Sequence, residues 1–130
     1  MAGKGQEIRS SALTLRIVEL EAELLVMDAA YPDGAGMPPA HFHPSQTETF
    51  TIVEGRMRAI MDGTETIYEA GETFDVPPGT VHQMAPEGGA ARTRWEVRPA
   101  MRTADFFELL LTGKADENFL EEFKDEIRFG

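Results

Sequence analysis

Cysteine is absent from the sequence, histidine occurs three times and tryptophan once. Without thiols there is no disulfide framework, no thiolate metal site and no thiol nucleophile, so metal chemistry falls to imidazole and carboxylate. A reducing compartment fits this composition. Cations are scarce too: 12 lysines and arginines stand against 23 acids, a formal net charge of −11. A surface of that sign repels polyanions, which sets aside nucleic acid and anionic bilayers as partners. No apolar run reaches the roughly 20 residues of a spanning helix, and the opening MAGKGQEIRSSALTL lacks the apolar core of a signal peptide. The expectation is a cytoplasmic protein with no membrane partner.

What is present suffices for one ordinary domain, since 130 residues that are 42% hydrophobic can bury a single core. The first ten residues are polar and glycine-bearing and read as a loose arm or edge segment. From Leu13 to Asp28 apolar and charged residues partly alternate, which predicts two strands. Tyr31 to Pro39 is dense in proline and glycine, a loop leading into His41. Short alternating segments follow at 48–53, 56–61, 64–69, 72–76 and 81–84, closed by glycine or proline turns, with Asp62-Gly63 a strong hairpin signal. Arg92 to Arg98 makes a last strand, with Thr93, Trp95 and Val97 on one face and Arg94 and Glu96 on the other. Strands at this spacing predict an all-β sandwich or barrel.

At Thr103 the period changes to that of a helix. Phe106, Phe107, Leu110 and Leu111 recur at helical spacing, with Thr103 as N-cap and Gly113 as stop. A second short helix, capped by Asp116, carries Phe119, Leu120, Phe123 and Ile127 as its apolar stripe.

His41-Phe42-His43 sets two imidazoles on one face of an extended strand, where such a pair can share one ion. Glu48 lies an odd number of residues beyond His43, so a straight strand would turn it away. Pro44 supplies the break that lets it rejoin. His82 arrives on a distant strand, after the turn Pro77-Pro78-Gly79. Taken alone, a His-x-His is more often a surface or loop pair than a ligand set.

The order and spacing of these residues resemble the cupin superfamily, in particular small single-domain bacterial cupins that end in helices. His41-x-His43, four residues, Glu48, six residues and Gly55 resemble the first cupin motif. Gly71, five residues, Pro77-x-Gly79, two residues and His82 resemble the second. The resemblance covers residues 35–98 and implies a double-stranded β-helix, the cupin or jelly-roll barrel. Residues 1–102 would form that barrel, with 103–130 a C-terminal helical extension of the same domain. It also implies that His41, His43, Glu48 and His82 hold one divalent metal. Two positions depart from the motifs, neither of them a ligand: Ala35 stands where the first opens with glycine, and Pro86 where the second closes with asparagine.

Three imidazoles and a carboxylate suit Fe, Mn, Ni, Co, Cu or Zn and suit Ca or Mg poorly, so the expected cofactor is one divalent transition metal. Such a set leaves coordination positions open, as Lewis-acid or oxygen chemistry requires. The functional expectation is a metal-dependent enzyme of dioxygenase, isomerase, cyclase or lyase type acting on a small organic molecule. Glu48 would serve as ligand or general base, with Phe50, Met84 and Trp95 as substrate contacts. The alternative is a non-catalytic barrel that binds or senses a small molecule around a structural metal. An open metal beside an apolar pocket separates the two. Exposed sheet edges and apolar C-terminal helices predict a homodimer, unless the helices close over their own barrel as a lid.

Overall fold

Alternating sequence becomes two antiparallel sheets around one core, in a computed structural model that describes residues 2–130. In chain order the elements are β1 (Glu7–Arg9), β2 (Thr14–Glu21), β3 (Leu24–Tyr31), β4 (His41–Phe42), β5 (Thr47–Glu54), β6 (Arg56–Met61) and β7 (Thr64–Glu69). There follow β8 (Thr73–Val76), β9 (His82–Pro86), β10 (Ala91–Arg98), α1 (Thr103–Leu111), α2 (Phe119–Glu122) and β11 (Arg128–Phe129). One sheet runs β1-β2-β3-β10-β5-β8 and the other β11-β4-β9-β6-β7. Neighbours in the sheets are often distant in sequence, so the barrel wraps on itself and brings β4 against β9.

The period of two decides what faces inward. On β10, Thr93, Trp95 and Val97 are buried while Arg92, Arg94 and Arg98 point out. On β5 the buried set is Glu48, Phe50 and Ile52. Trp95 lies opposite Phe50 in register, their rings 5.3 Å apart, and Phe50 stacks on Phe74 at the same distance. Burying each such ring contributes about 1.5–3 kcal/mol, so this aromatic layer is a principal source of barrel stability. The β6–β7 hairpin turns through Asp62 and Gly63, both at positive φ, as a two-residue turn between right-twisted strands requires.

The ends of the chain differ from expectation in five respects. The N-terminus is an edge segment but not a loose one: Ile8 is buried between Glu7 and Arg9, and the Ala2 amide donates to Asp105 Oδ1 at 2.8 Å. Thr103 begins α1 rather than capping it, because its hydroxyl is engaged elsewhere, accepting a hydrogen bond from Gln46 Nε2 at 2.7 Å. The helix stops at Gly113 as expected, with Lys114 N donating to Leu109 O and Gly113 N to Leu110 O. Helix α2 is a single turn of four residues led by Asn118, whose amide bonds the Asp116 side chain, so Asp116 shapes the turn before the helix instead of capping it. One turn buries one side, and Leu120 is 52% exposed while Phe119 and Phe123 pack on Phe106. Ile127 joins that cluster from beyond the helix. No helix among the described residues is long and apolar enough to cross a membrane.

Candidate metal centre and cavity

His41 and His82 face each other directly across the β4–β9 pair, ring centroids 4.4 Å apart. His43 follows two residues on, where β4 has ended, and its ring lies 5.3 Å from His41 and 5.4 Å from His82. The bend at Pro44 and Ser45 then turns the chain into β5, which returns Glu48 to the same place. Gln46 pins that bend: its amide nitrogen bonds the carbonyls of Pro99 and Ala100 as well as Thr103.

The hydrogen bonds fix which way each imidazole presents itself. Nδ1 of His41 lies 3.0 Å from Pro39 O, Nδ1 of His43 2.7 Å from Glu126 O, and Nδ1 of His82 2.8 Å from Thr80 O. A carbonyl only accepts, so each Nδ1 carries the hydrogen and each Nε2 of the neutral ring presents a lone pair. Nε2 of His43 and Nε2 of His82 lie 3.0 Å and 2.9 Å from Glu48 Oε1. The other carboxylate oxygen, Oε2, accepts a hydrogen bond from Trp95 Nε1 at 2.7 Å. His43 Nε2 and Glu48 Oε1 are both buried and find no hydrogen-bond partner among the described residues, although they are near one another. Lone pairs that crowd together without a hydrogen between them call for a cation. Two ligand atoms each about 2.1 Å from one ion and at right angles to it are about 3.0 Å apart, so the observed spacing fits a transition metal.

In the metal-free protein a proton shared between His43 Nε2 and Glu48 Oε1 fills the same role. Burial pushes Glu48 toward its neutral form, but His43 and His82 outweigh it and hold the carboxyl below the usual range. Burial likewise opposes a charged His43, and Glu48 with the Glu126 carbonyl holds it above the ordinary imidazole value. His41 is pulled down to about 4, chiefly by burial against the opposing Pro39 carbonyl. It is therefore a neutral donor in neutral solution.

A cavity of about 480 Å³ opens beside this cluster, with His41, Glu48 and His82 in its wall. Phe50, Met84 and Trp95, the substrate contacts expected from sequence, line it as well. Arg94 and Glu96 lie on the opposite face of β10 and pair with each other at 3.5 Å. The wall also takes in residues not named from sequence as substrate contacts, among them Tyr31 at the end of β3, Phe107 and Leu111 of α1, and Phe129 of β11, whose ring lies 6.2 Å from His41. Glu126, which holds His43 through its main-chain carbonyl, was missed too. Its side chain gave no signal, since the acceptor is backbone. Tyr31 is kept protonated by burial and by the charge of Glu48, so it presents a hydroxyl donor.

Comparison with known proteins gives the fold a family. The family described as "Cupin domain" matches residues 27–96. No curated protein matches the chain. Among solved structures, an RmlC-like cupin from Shewanella frigidimarina superposes with a TM-score of 0.69 at 20% identity, covering 79% of this chain and 91% of its own. KdgF from Halomonas sp. gives 0.65 at 16% identity, covering 71% and 84%. Pac13, a nucleoside dehydratase, gives 0.61 at 16% identity, covering 72% and 75%. Identities this low carry the fold alone, but the family match spans more than half the sequence, and the two motifs it contains supply the histidines that meet between β4 and β9. The chain belongs to the cupin family.

Proposed function

We propose that this cupin is a metal-dependent enzyme, of dioxygenase, isomerase, cyclase or lyase type, acting on a small organic molecule held in the barrel cavity. The observation that carries this reading is the cluster of His41, His43 and His82, with Glu48 Oε1 beside His43 and His82, at an apolar cavity whose wall includes His41, Glu48 and His82. A divalent transition metal held there by His41, His43, His82 and Glu48 would supply Lewis-acid or oxygen chemistry at a substrate oxygen. The chain's own residues do the remainder. The backbone carbonyls of Pro39, Glu126 and Thr80 lock the three rings in their donor tautomer. Trp95 holds one oxygen of Glu48, leaving the other free to bind metal or accept a proton from substrate. Tyr31 donates a hydrogen bond to a substrate oxygen in the same wall. Pac13 is described as a dehydratase, so this fold hosts elimination chemistry in at least one protein of similar shape.

The test is elemental analysis of protein purified without chelator, followed by turnover assays on small phenols, diketones and sugars. About one metal per chain is expected, lost in the His41→Ala/His43→Ala/His82→Ala variant, with activity abolished by chelation and restored by metal. Full metal stoichiometry in the triple variant overturns the site. Stoichiometric metal without any turnover moves the chain to the non-catalytic binding reading.

A further inference from the structure

The residues absent from the cavity wall are as informative as those present. Of the twenty that line it, none is lysine or arginine, and Glu48 is the one carboxylate. Its indole neighbour Trp95 has already committed its N–H to that carboxylate. Apart from the metal-ligand candidates, Tyr31, whose hydroxyl lies against Thr93, is the remaining side-chain donor in the wall among the described residues. The far side is hydrocarbon and aromatic, supplied by Leu13, Phe106, Phe107, Leu110, Leu111 and Ile127. Two cations of the tail are turned to other duties: Arg102 pairs with Glu122 and covers the Phe123 ring, and Arg128 bonds the Lys124 carbonyl. An anionic group buried against such a wall would keep its desolvation cost with no partner to offset it.

We infer that the substrate is a small amphiphile with a single oxygen-bearing head, seated between the histidine cluster and Tyr31, and an uncharged apolar body lying against α1 and β11. Phosphorylated compounds, dicarboxylates and polyhydroxylated sugar acids are excluded as substrates, because their second polar end meets no lysine or arginine side chain in the wall. This rests on the metal-centre reading for the head and is independent of it for the body.

Calorimetric titration of the zinc-loaded protein with 4-methylbenzoate and with terephthalate isolates the body, since the two share one head and differ by a charge at the far end. Terephthalate is expected to bind at least about a hundredfold more weakly. Leu110→Arg, at an exposed cavity-lining position, is expected to narrow that gap at least about tenfold by giving the second carboxylate a partner. In metal-free protein, 4-methylphenol is expected to bind and 4-hydroxybenzoate is not. Equal affinity of the zinc form for 4-methylbenzoate and terephthalate, or no binding of any neutral or singly charged probe, overturns the inference. Zinc content of the same samples separates the two readings: a chain that takes no zinc yet keeps the preference for 4-methylphenol loses the metal centre and keeps the substrate class.

Discussion

At the scale of single residues, the centre depends on groups that touch no ion themselves. Trp95 is the clearest. Its indole N–H satisfies Glu48 Oε2, so Trp95→Phe keeps the ring in the aromatic layer and removes the bond that orients the carboxylate. Metal affinity should fall roughly 10- to 100-fold in a chelator competition, with the fold retained. A change smaller than twofold would show that Glu48 is positioned by packing alone. Affinity also depends on pH, and its sign follows from the rings. A metal needs each Nε2 unprotonated. His41, near 4, already meets that condition in neutral solution, whereas His43 is held above its ordinary 6.5 by Glu48 and must release a proton. Affinity should therefore rise with pH through the region above 6.5, level off once His43 is neutral, and weaken up to tenfold per unit below that point. Constant affinity between about pH 8 and about pH 5 would contradict an imidazole site.

At the scale of elements, what the sequence could convey was local. The turn at Asp62-Gly63 and the stop at Gly113 depend on neighbours in the chain, and both stand where the residues place them. The histidine spacing is local too, and the resemblance added the distant His82. The bond from Trp95 to Glu48 needed the register of β10 on β5, which pairs Val97 with Glu48 and sets Trp95 beside it on the same face, and no spacing encodes that. Strand β11 has two residues and no period to read, so its pairing with β4 emerges only from the packing of the tail. Leu120 went astray because a one-turn helix has no full stripe. Glycines divide in the same way. Gly55 has φ +74 and a Cβ there would lie 2.4 Å from Ala90 O, whereas Gly63 at φ +82 has open space around it. Gly55→Ala should cost about 3 kcal/mol or more in denaturant unfolding, and Gly63→Ala about 1–2 kcal/mol, the left-handed penalty alone. Equal losses would mean that the β5–β6 turn relaxes freely away from Ala90.

At the scale of the molecule, the tail is spent on its own barrel: Phe106, Phe119 and Phe123 are buried within the chain and unavailable to a second copy. The homodimer expected from sequence then falls to the sheet edges and the N-terminal strands around Leu13 to Met27, and its association should strengthen with salt as the net charge of −11 is screened. Sedimentation at low and moderate ionic strength decides it, a monomer in both at tens of micromolar removing the expectation. The tail has a further consequence. Its cluster of Phe106, Phe119, Phe123 and Ile127 is separate from the barrel core, with Phe107 packed against both. Ala104 and Leu111 of the same helix lie against the barrel core as well, so α1 is the seam, and the cluster on its far side is the less supported of two units. The Glu126 carbonyl crosses that seam to reach His43, so whatever occupies the histidines binds the assembled state of both units and no other. Scanning calorimetry in the presence of chelator should resolve two transitions, the tail melting first. Saturating metal should fuse them into one, which would make the ion the element that turns a barrel with an appendage into a single melting body.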